Sequence, residues 1–373
     1  MSSKTLTMLA VGDIILDEPE PDSFFSLSTP VLKSANVVVG HVEVAFTSRG
    51  IDTYKAVPAP PIDPARISAL PSAGFNVATL AANHLWDSGA PGVEDTISGL
   101  RGNGIAVAGA GMNIDEARHP VIIERDGTRF GFLSYNCVGP QDTWATPHKP
   151  GCAYVEILSH YDMRMGHSTA YTFAESTSLE AMIDDIRKLR PDCDVLVVAL
   201  HKGLANVPIK LAMYEQPVSY AAIEAGADLI LGHHAHILHG IEQYRGKIIF
   251  HSLCNFVAAT RALTVDGAPN ARLKEYAKQR LERLGFKLDP EYPTYPFHPE
   301  AKQTIIAKCT IDGGKISRVS YLPCMINKKA QPEILKNDER GQQVFDYMEK
   351  ITRAAGLNAR YEWDGDEVLI HGN

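Results

Sequence analysis

Short, nearly continuous apolar runs recur along the chain at 5–11, 36–40, 76–81, 194–200 and 227–232. Runs of this kind, bounded by glycine or polar residues, predict strands buried on both faces. Between them, amphipathic spacing predicts helices over 24–34, 64–73, 92–103, 179–189 and 214–225. Asp63 is placed to cap the second of these. A short strand is expected over 105–108. Two hairpins are predicted: strands 120–124 and 129–135 around Asp126-Gly127, and residues 243–251 around Arg245-Gly246. Strands alternating with helices predict an α/β fold: a central β-sandwich flanked by helices.

After residue 268 the pattern changes. A charged amphipathic helix (272–284) leads through proline-rich connectors to strands 304–311 and 316–321, which pair around Asp312-Gly313-Gly314. A helix over 339–355 and a strand over 367–370 close the chain. The division expected is a catalytic domain, 1–265, with a C-terminal extension, 266–373, packed on the same core. Residues 57–64 (VPAPPIDP) read as rigid and extended, able to line a groove. Residues 139–176 lack periodicity and carry Trp144, His148, His160 and His167. They read either as a lid over a site or as a mobile surface insertion.

The predicted strands share a chemical feature at their carboxyl ends, the edge where open α/β sheets bind ligands. Asp13 follows the first. His41 and Glu43 follow the second, and Asn83 and His84 the third, with Asp87 three residues beyond. His201 and Lys202 follow the fourth. The fifth ends in Gly232 and then His233, His234 and His236. Taken singly, each residue also fits a turn, a cap or a polar loop. Together they predict one converging site, in which Asp87 orients His84. Mixed carboxylate, amide and imidazole ligation suits divalent Mn, Fe or Zn. The ligand count favours two ions, with Glu43 able to bridge them.

Composition narrows the class. The chain has 373 residues, 45% hydrophobic and 21% charged, which is sufficient for one large domain or two smaller ones. A net charge of −8 without a basic tract argues against nucleic acid. No apolar run of membrane-spanning length occurs, and the N-terminal residues lack the pattern of a signal peptide, so a cytoplasmic location is expected. The six cysteines form no C-x-x-C pair, which fits a reducing compartment.

The residues Gly12-Asp13, Gly40-His41-Val42-Glu43, Ala82-Asn83-His84, His201 with Gly203, Gly232-His233-His234-Ala235-His236 and His251-Ser252-Leu253-Cys254-Asn255-Phe256 carry a resemblance. Over residues 6–256 the chain resembles the capsule-synthesis CapA (poly-γ-glutamate capsule) family, which is similar to the calcineurin-like metallophosphoesterases. The resemblance implies that Asp13 ligates one metal, that Glu43 bridges, and that Asn83 and His201 ligate the second. His234 and His236 would complete the pair, with His233 a further candidate. His84 would assist the substrate oxyanion or leaving group. Where phosphoesterases place a histidine two residues after the first aspartate, this chain has Ile15. His41, unusual for the family, is a candidate replacement. The family's HWG reads HKG here. Lys202 is therefore either a pocket-edge cation for an anionic group or a surface lysine. His251 is a candidate substrate contact.

The expectation is a metal-dependent hydrolase of a small, cytoplasmic, possibly anionic substrate, an amide or a phosphoester. The alternative is a non-catalytic accessory protein of poly-γ-glutamate capsule synthesis. The oligomeric state is left open.

Overall fold

The computed structural model describes residues 5–51, 59–162, 166 and 169–372. In chain order the strands of its two main sheets include β1 (Leu6–Leu16), β2 (Val37–Val42), β3 (Val77–Thr79), β4 (Ala106–Ala108), β5 (Val121–Arg125), β6 (Thr128–Asn136), β7 (Val195–Lys202), β8 (Leu229–His234), β9 (Ile241–Tyr244), β10 (Lys247–Phe250), β11 (Asn255–Ala259), β12 (Gln303–Asp312), β13 (Lys315–Ile326), β14 (Arg360–Asp364) and β15 (Glu367–His371). The first sheet runs β14-β15-β13-β12-β1-β2-β3-β4, with β11 also paired to β1. The second runs β9-β10-β8-β7-β6-β5. β1 through β4 are mutually parallel, as are β6, β7 and β8.

The period of two along β7 and β8 shows why the sheets form layers. Val195, Val197, Ala199, Leu229 and Leu231 join one core with residues of the first sheet, among them Leu6, Met8 and Val39. The alternate residues Leu196, Val198, Leu200 and Ile230 pack with Met182 and Ile186 of the helix Ser176–Leu189, and with Val218 and Ala222 of Glu215–Ala225. Each strand therefore buries both faces, and for that reason the runs are apolar throughout. Each buried valine, leucine, isoleucine or methionine among them contributes on the order of 1.5–3 kcal/mol.

Several expectations are corrected. The helix expected over 24–34 is two short helices, Pro21–Phe25 and Thr29–Leu32. Pro30 sits in the first turn of the second and cannot continue an earlier helix. Asp13, His41, His201 and Lys202 lie inside their strands, because β1, β2 and β7 run further than their apolar runs. Residues 139–176 are not wholly irregular. They contain a hairpin whose strands, Ile157–Asp162 and Thr169–Ala174, pair from Ile157↔Ala174 to Asp162↔Thr169. Most of its side chains are exposed, so it lacks the alternation that marks a half-buried strand. β14 was likewise not anticipated. Residues 57, 58 and 167 lie outside the described residues.

The segment beyond 265 supplies β12, which pairs antiparallel with β1 from Leu6↔Ile311 to Ala10↔Ala307. Among the described residues no helix is long and apolar enough to cross a membrane.

Candidate metal centre

Strand register assembles the site. Asp13 pairs with His41 across β1 and β2, and His41 with Thr79 across β2 and β3. In the facing sheet His201 pairs with His233, and Lys202 with His234. β1 is irregular on both sides of Asp13. There a Cβ on Gly12 would lie 2.0 Å from the Cys254 carbonyl oxygen, so only glycine permits the approach. The Asp13 amide donates to that same carbonyl at 3.0 Å. His234 and His236 adopt φ of 86° and 53°, in the left-handed region that costs a non-glycine residue energy and clusters at functional sites.

The side chains converge. His236 Nε2 lies 3.3 Å from Glu43 Oε1, and its Nδ1 lies 3.4 Å from Asp13 Oδ2. His233 Nδ1 lies 3.2 Å from Asp13 Oδ1. His201 Nε2 lies 2.8 Å from Asn83 Oδ1 and 3.9 Å from Glu43 Oε1. The His41 ring stacks between His201 and His233, with centroids at 4.9 and 4.3 Å. Three sets of ligand atoms lie within 4.8 Å of one another: Asp13, His41 and His201; Glu43, His201 and His234; Asp13, Glu43 and His236. His41, expected only as a replacement for the imidazole absent at Ile15, is thus turned toward the cluster.

These groups fit a bound cation. Glu43 Oε2, His41 Nε2, His201 Nδ1, His233 Nε2 and His234 Nδ1 are buried without a hydrogen-bond partner. A buried polar atom left unmatched costs roughly 1–3 kcal/mol, so a concentration of them is expensive unless a ligand takes them up. Burial pushes the His41, His233 and His234 imidazoles down to about 3. Burial also holds His201 well below its ordinary value, helped by the imidazoles around it. They stand neutral, the form that ligates metal. Burial, then the Glu43 charge, raises Asp13 to about 7. For Glu43 burial works upward, but the charge and hydrogen bond of His236 prevail and bring it down to about 2. His236 is raised to about 9, against its own burial, by Glu43 and Asp13, and would give up that proton on ligating a cation.

Residues outside the expected set hold the cluster in place. Thr79 Oγ1 lies 2.9 Å from His41 Nδ1, and Asn255 Oδ1 lies 2.9 Å from His236 Nδ1. Tyr295, from the C-terminal segment, donates to the Ala301 carbonyl at 2.6 Å and accepts from Asn255 at 3.2 Å. No local pattern marks Thr79 or Tyr295; only strand pairing and chain return bring them in.

A cavity of about 220 Å³ opens on Glu43, Asn83, His84, His234 and His236. Its walls include Ile15, Val44, Leu263 and Phe297, and Asp17 lies at its side. His84 Nδ1 lies 2.6 Å from Asp87 Oδ2, which also accepts from the Ala59 amide at 2.8 Å. Burial lowers the His84 pKa, but Asp87 outweighs it and the imidazole is raised overall.

Two candidate substrate contacts are placed elsewhere. Lys202 is fully buried, with Nζ 3.0 Å from Glu215 Oε2 and 2.9 Å from His251 Nδ1. It is neither a pocket-edge cation nor a surface lysine. Side chains alternate along β7, so the residue after an inward-facing His201 points to the opposite face. His251 is fully buried too, its Nε2 2.9 Å from Glu242, and it does not line the cavity. His239, from the same histidine-rich stretch, points to the Val207 carbonyl at 2.9 Å instead.

Comparison with known proteins extends this picture. The chain is 28% identical over 270 residues to the capsule biosynthesis protein CapA of Bacillus anthracis, covering 68% of this chain and 60% of that one. It is 26% identical over 270 residues to the PGA biosynthesis protein CapA of Bacillus subtilis, covering 69% and 64%. It thus spans less than two thirds of the length of either relative. A "Probable polyglutamine synthesis accessory protein" of Mycobacterium tuberculosis is 28% identical over 192 residues, covering 50% and 46%.

Among solved structures, the calcineurin-like phosphoesterase YfkN of Bacillus subtilis aligns over 94% of this chain and 98% of that one, at 13% identity and a TM-score of 0.43. A 5'-nucleotidase of Candida albicans aligns over 96% and 60%, at 10% identity and a TM-score of 0.41. Overlaps this loose carry no inference about ligands or chemistry. The family described as bacterial capsule synthesis protein PGA_cap matches residues 7–260. That match spans most of the chain and holds every residue of the histidine and carboxylate cluster, and the chain belongs to this family.

Proposed function

We propose that the chain is a metal-dependent hydrolase that cleaves an amide or a phosphoester of a small substrate. The observation that carries this reading is the set of buried, unpartnered donor atoms on Glu43, His41, His201, His233 and His234. Asp13, Glu43 and His236 would hold one divalent ion, with His41 as a further ligand beside Asp13, and Glu43, Asn83, His201 and His234 would hold a second. Mn, Fe or Zn suit such mixed ligands. Bound there, two ions would activate a water and polarise the bond to be cleaved.

The chain's own residues supply the rest. Asp87 fixes the His84 tautomer through Nδ1, leaving Nε2 to carry a proton toward the leaving group or the developing oxyanion. Ile15, Val44 and Phe297 hold the reacting group in an apolar cavity that limits water. The six cysteines are all unpaired and buried, which supports a cytoplasmic setting.

A second reading, a non-catalytic accessory protein, is favoured by the name of the Mycobacterium relative. Metal analysis of protein purified without added metal distinguishes the two, followed by screening against panels of phosphoesters and amides. Near two equivalents in wild type, reduced in Asp13→Ala and His201→Ala, together with turnover of one panel, is expected of the hydrolase. No bound metal and no uptake would overturn it. Metal without turnover would favour the accessory reading.

A further inference from the structure

Apart from the histidines, the charged side chains lining the cavities at the candidate centre are acidic. The cavity over Glu43 and His236 is flanked by Asp17, whose Oδ2 accepts from Thr260 Oγ1 at 2.8 Å. A second cavity shares Ala205 and His234 with the first and carries Glu156. Apart from the histidines, the ionisable groups lining the two are acidic side chains, Cys137, Tyr214 and Tyr276; among the described residues, no lysine or arginine lines either.

The nearest cations are engaged elsewhere. Lys202 is buried against Glu215 and His251. Arg261, on an opening that adjoins Asp17, is tied by Glu18 through its Nε at 2.9 Å and its amide at 2.8 Å. Arg66 donates to the Leu16 carbonyl at 2.9 Å and lines neither cavity. In addition, Asn206 Oδ1, at the wall of the first cavity, is buried without a donor. Beyond the histidines and the metal centre itself, a carboxylate-rich chain would meet Asp17 and Glu156, and among the described residues no lysine or arginine lining either cavity offsets that repulsion. A group bearing N–H donors would find acceptors in Asp17 and Asn206, and its apolar body would find Ile15, Val44 and Leu263.

We propose that the part of the substrate flanking the cleaved bond is an apolar group bearing an amine or amide, neutral or cationic, seated against Asp17, and not a polyanion. This rests on the hydrolase reading of the same site. It also replaces the expectation of an anionic substrate, which leaned on Lys202.

Three hydroxamates with one metal-binding headgroup and different tails separate the classes: hexanohydroxamic acid, 6-aminohexanohydroxamic acid and the monohydroxamate of adipic acid. Their binding to metal-loaded protein is measured calorimetrically on wild type, Asp17→Asn and Asp17→Lys. In wild type the amine-tailed and methyl-tailed compounds should bind about tenfold or more tighter than the carboxylate-tailed one. Asp17→Asn should erase most of the amine preference, and Asp17→Lys should reverse the order of the charged pair. Equal or tighter binding of the carboxylate tail to wild type overturns the proposal, as does an order unchanged in Asp17→Lys or a failure of all three to bind. The wild-type ranking decides even if a variant fails to fold. Selective binding with no turnover of any amide or phosphoester would instead overturn the hydrolase reading and leave this inference standing.

Discussion

The ammonium of Lys202 lies 3.0 Å from the Glu215 carboxylate with neither side chain exposed, one residue from His201. Both charges have left water, and each is tolerated chiefly because of the other, with His251 Nδ1 2.9 Å from the ammonium and the Ala212 amide donating to the carboxylate at 2.6 Å. Removing one partner of such a pair costs about 3–5 kcal/mol, whereas replacing both is often nearly neutral. Lys202→Met should therefore lower the unfolding free energy by about that amount in urea titrations. The double variant Lys202→Met/Glu215→Leu should recover a large part of it. A single variant within about 1 kcal/mol of wild type would show that the pair does not hold this strand end.

Thr79 tests the part played by His41. Its hydroxyl lies 2.9 Å from His41 Nδ1 and so directs Nε2 toward Asp13 and His201. Loss of such a supporting hydrogen bond typically weakens metal affinity by about 10–100-fold. Thr79→Val, nearly the same shape, should show that loss in competition with a chelator. Affinity equal to wild type would remove His41 from the ligand set.

Asp87 and His84 form the proposed proton-carrying pair. Asp87→Asn keeps the shape but no longer holds the imidazole in one tautomer. On whichever substrate the panels identify, kcat should fall about 100-fold with KM and metal content little changed. An unchanged kcat would remove His84 from the chemistry. A loss of metal would assign Asp87 to the support of Asn83 instead.

Acid stability should report on Asp228, remote from the centre. Its carboxylate accepts from Arg190 and Lys247, both at 2.6 Å, and from the Leu196 amide at 2.9 Å. Burial works upward on its pKa, but Lys247 and Arg190 outweigh it and hold the group below the ordinary carboxylate value. A depressed native pKa gives stability that is fully present above the unfolded value, near 3.9, and lost as pH falls through the native one. Asp228→Asn should cost about 1–3 kcal/mol at neutral pH and flatten the loss of stability below about pH 4. An unaltered acid limb would show that other carboxylates carry it.

The sequence by itself determined the α/β class, the buried strands that carry or lead to Asp13, Glu43, His201 and His234, and the family. Apolar runs, turn residues such as Asp126-Gly127 and motif spacing are local properties, legible without knowing what packs where. The hairpin within 139–176 escaped because its exposed side chains carry no alternation. Tertiary structure alone decided which polar side chains point inward. His233 meets Asp13 across 220 residues of chain, and only the facing of two sheets brings them together. The same strand that turns His201 into the cluster turns Lys202 out of it, into an ion pair with a helix residue. His251 and His239, indistinguishable in sequence from their neighbours His234 and His236, are drawn off by Glu242 and by a backbone carbonyl. Hydrogen-bond partners and burial, set by contacts remote in sequence, separate a ligand from a structural histidine.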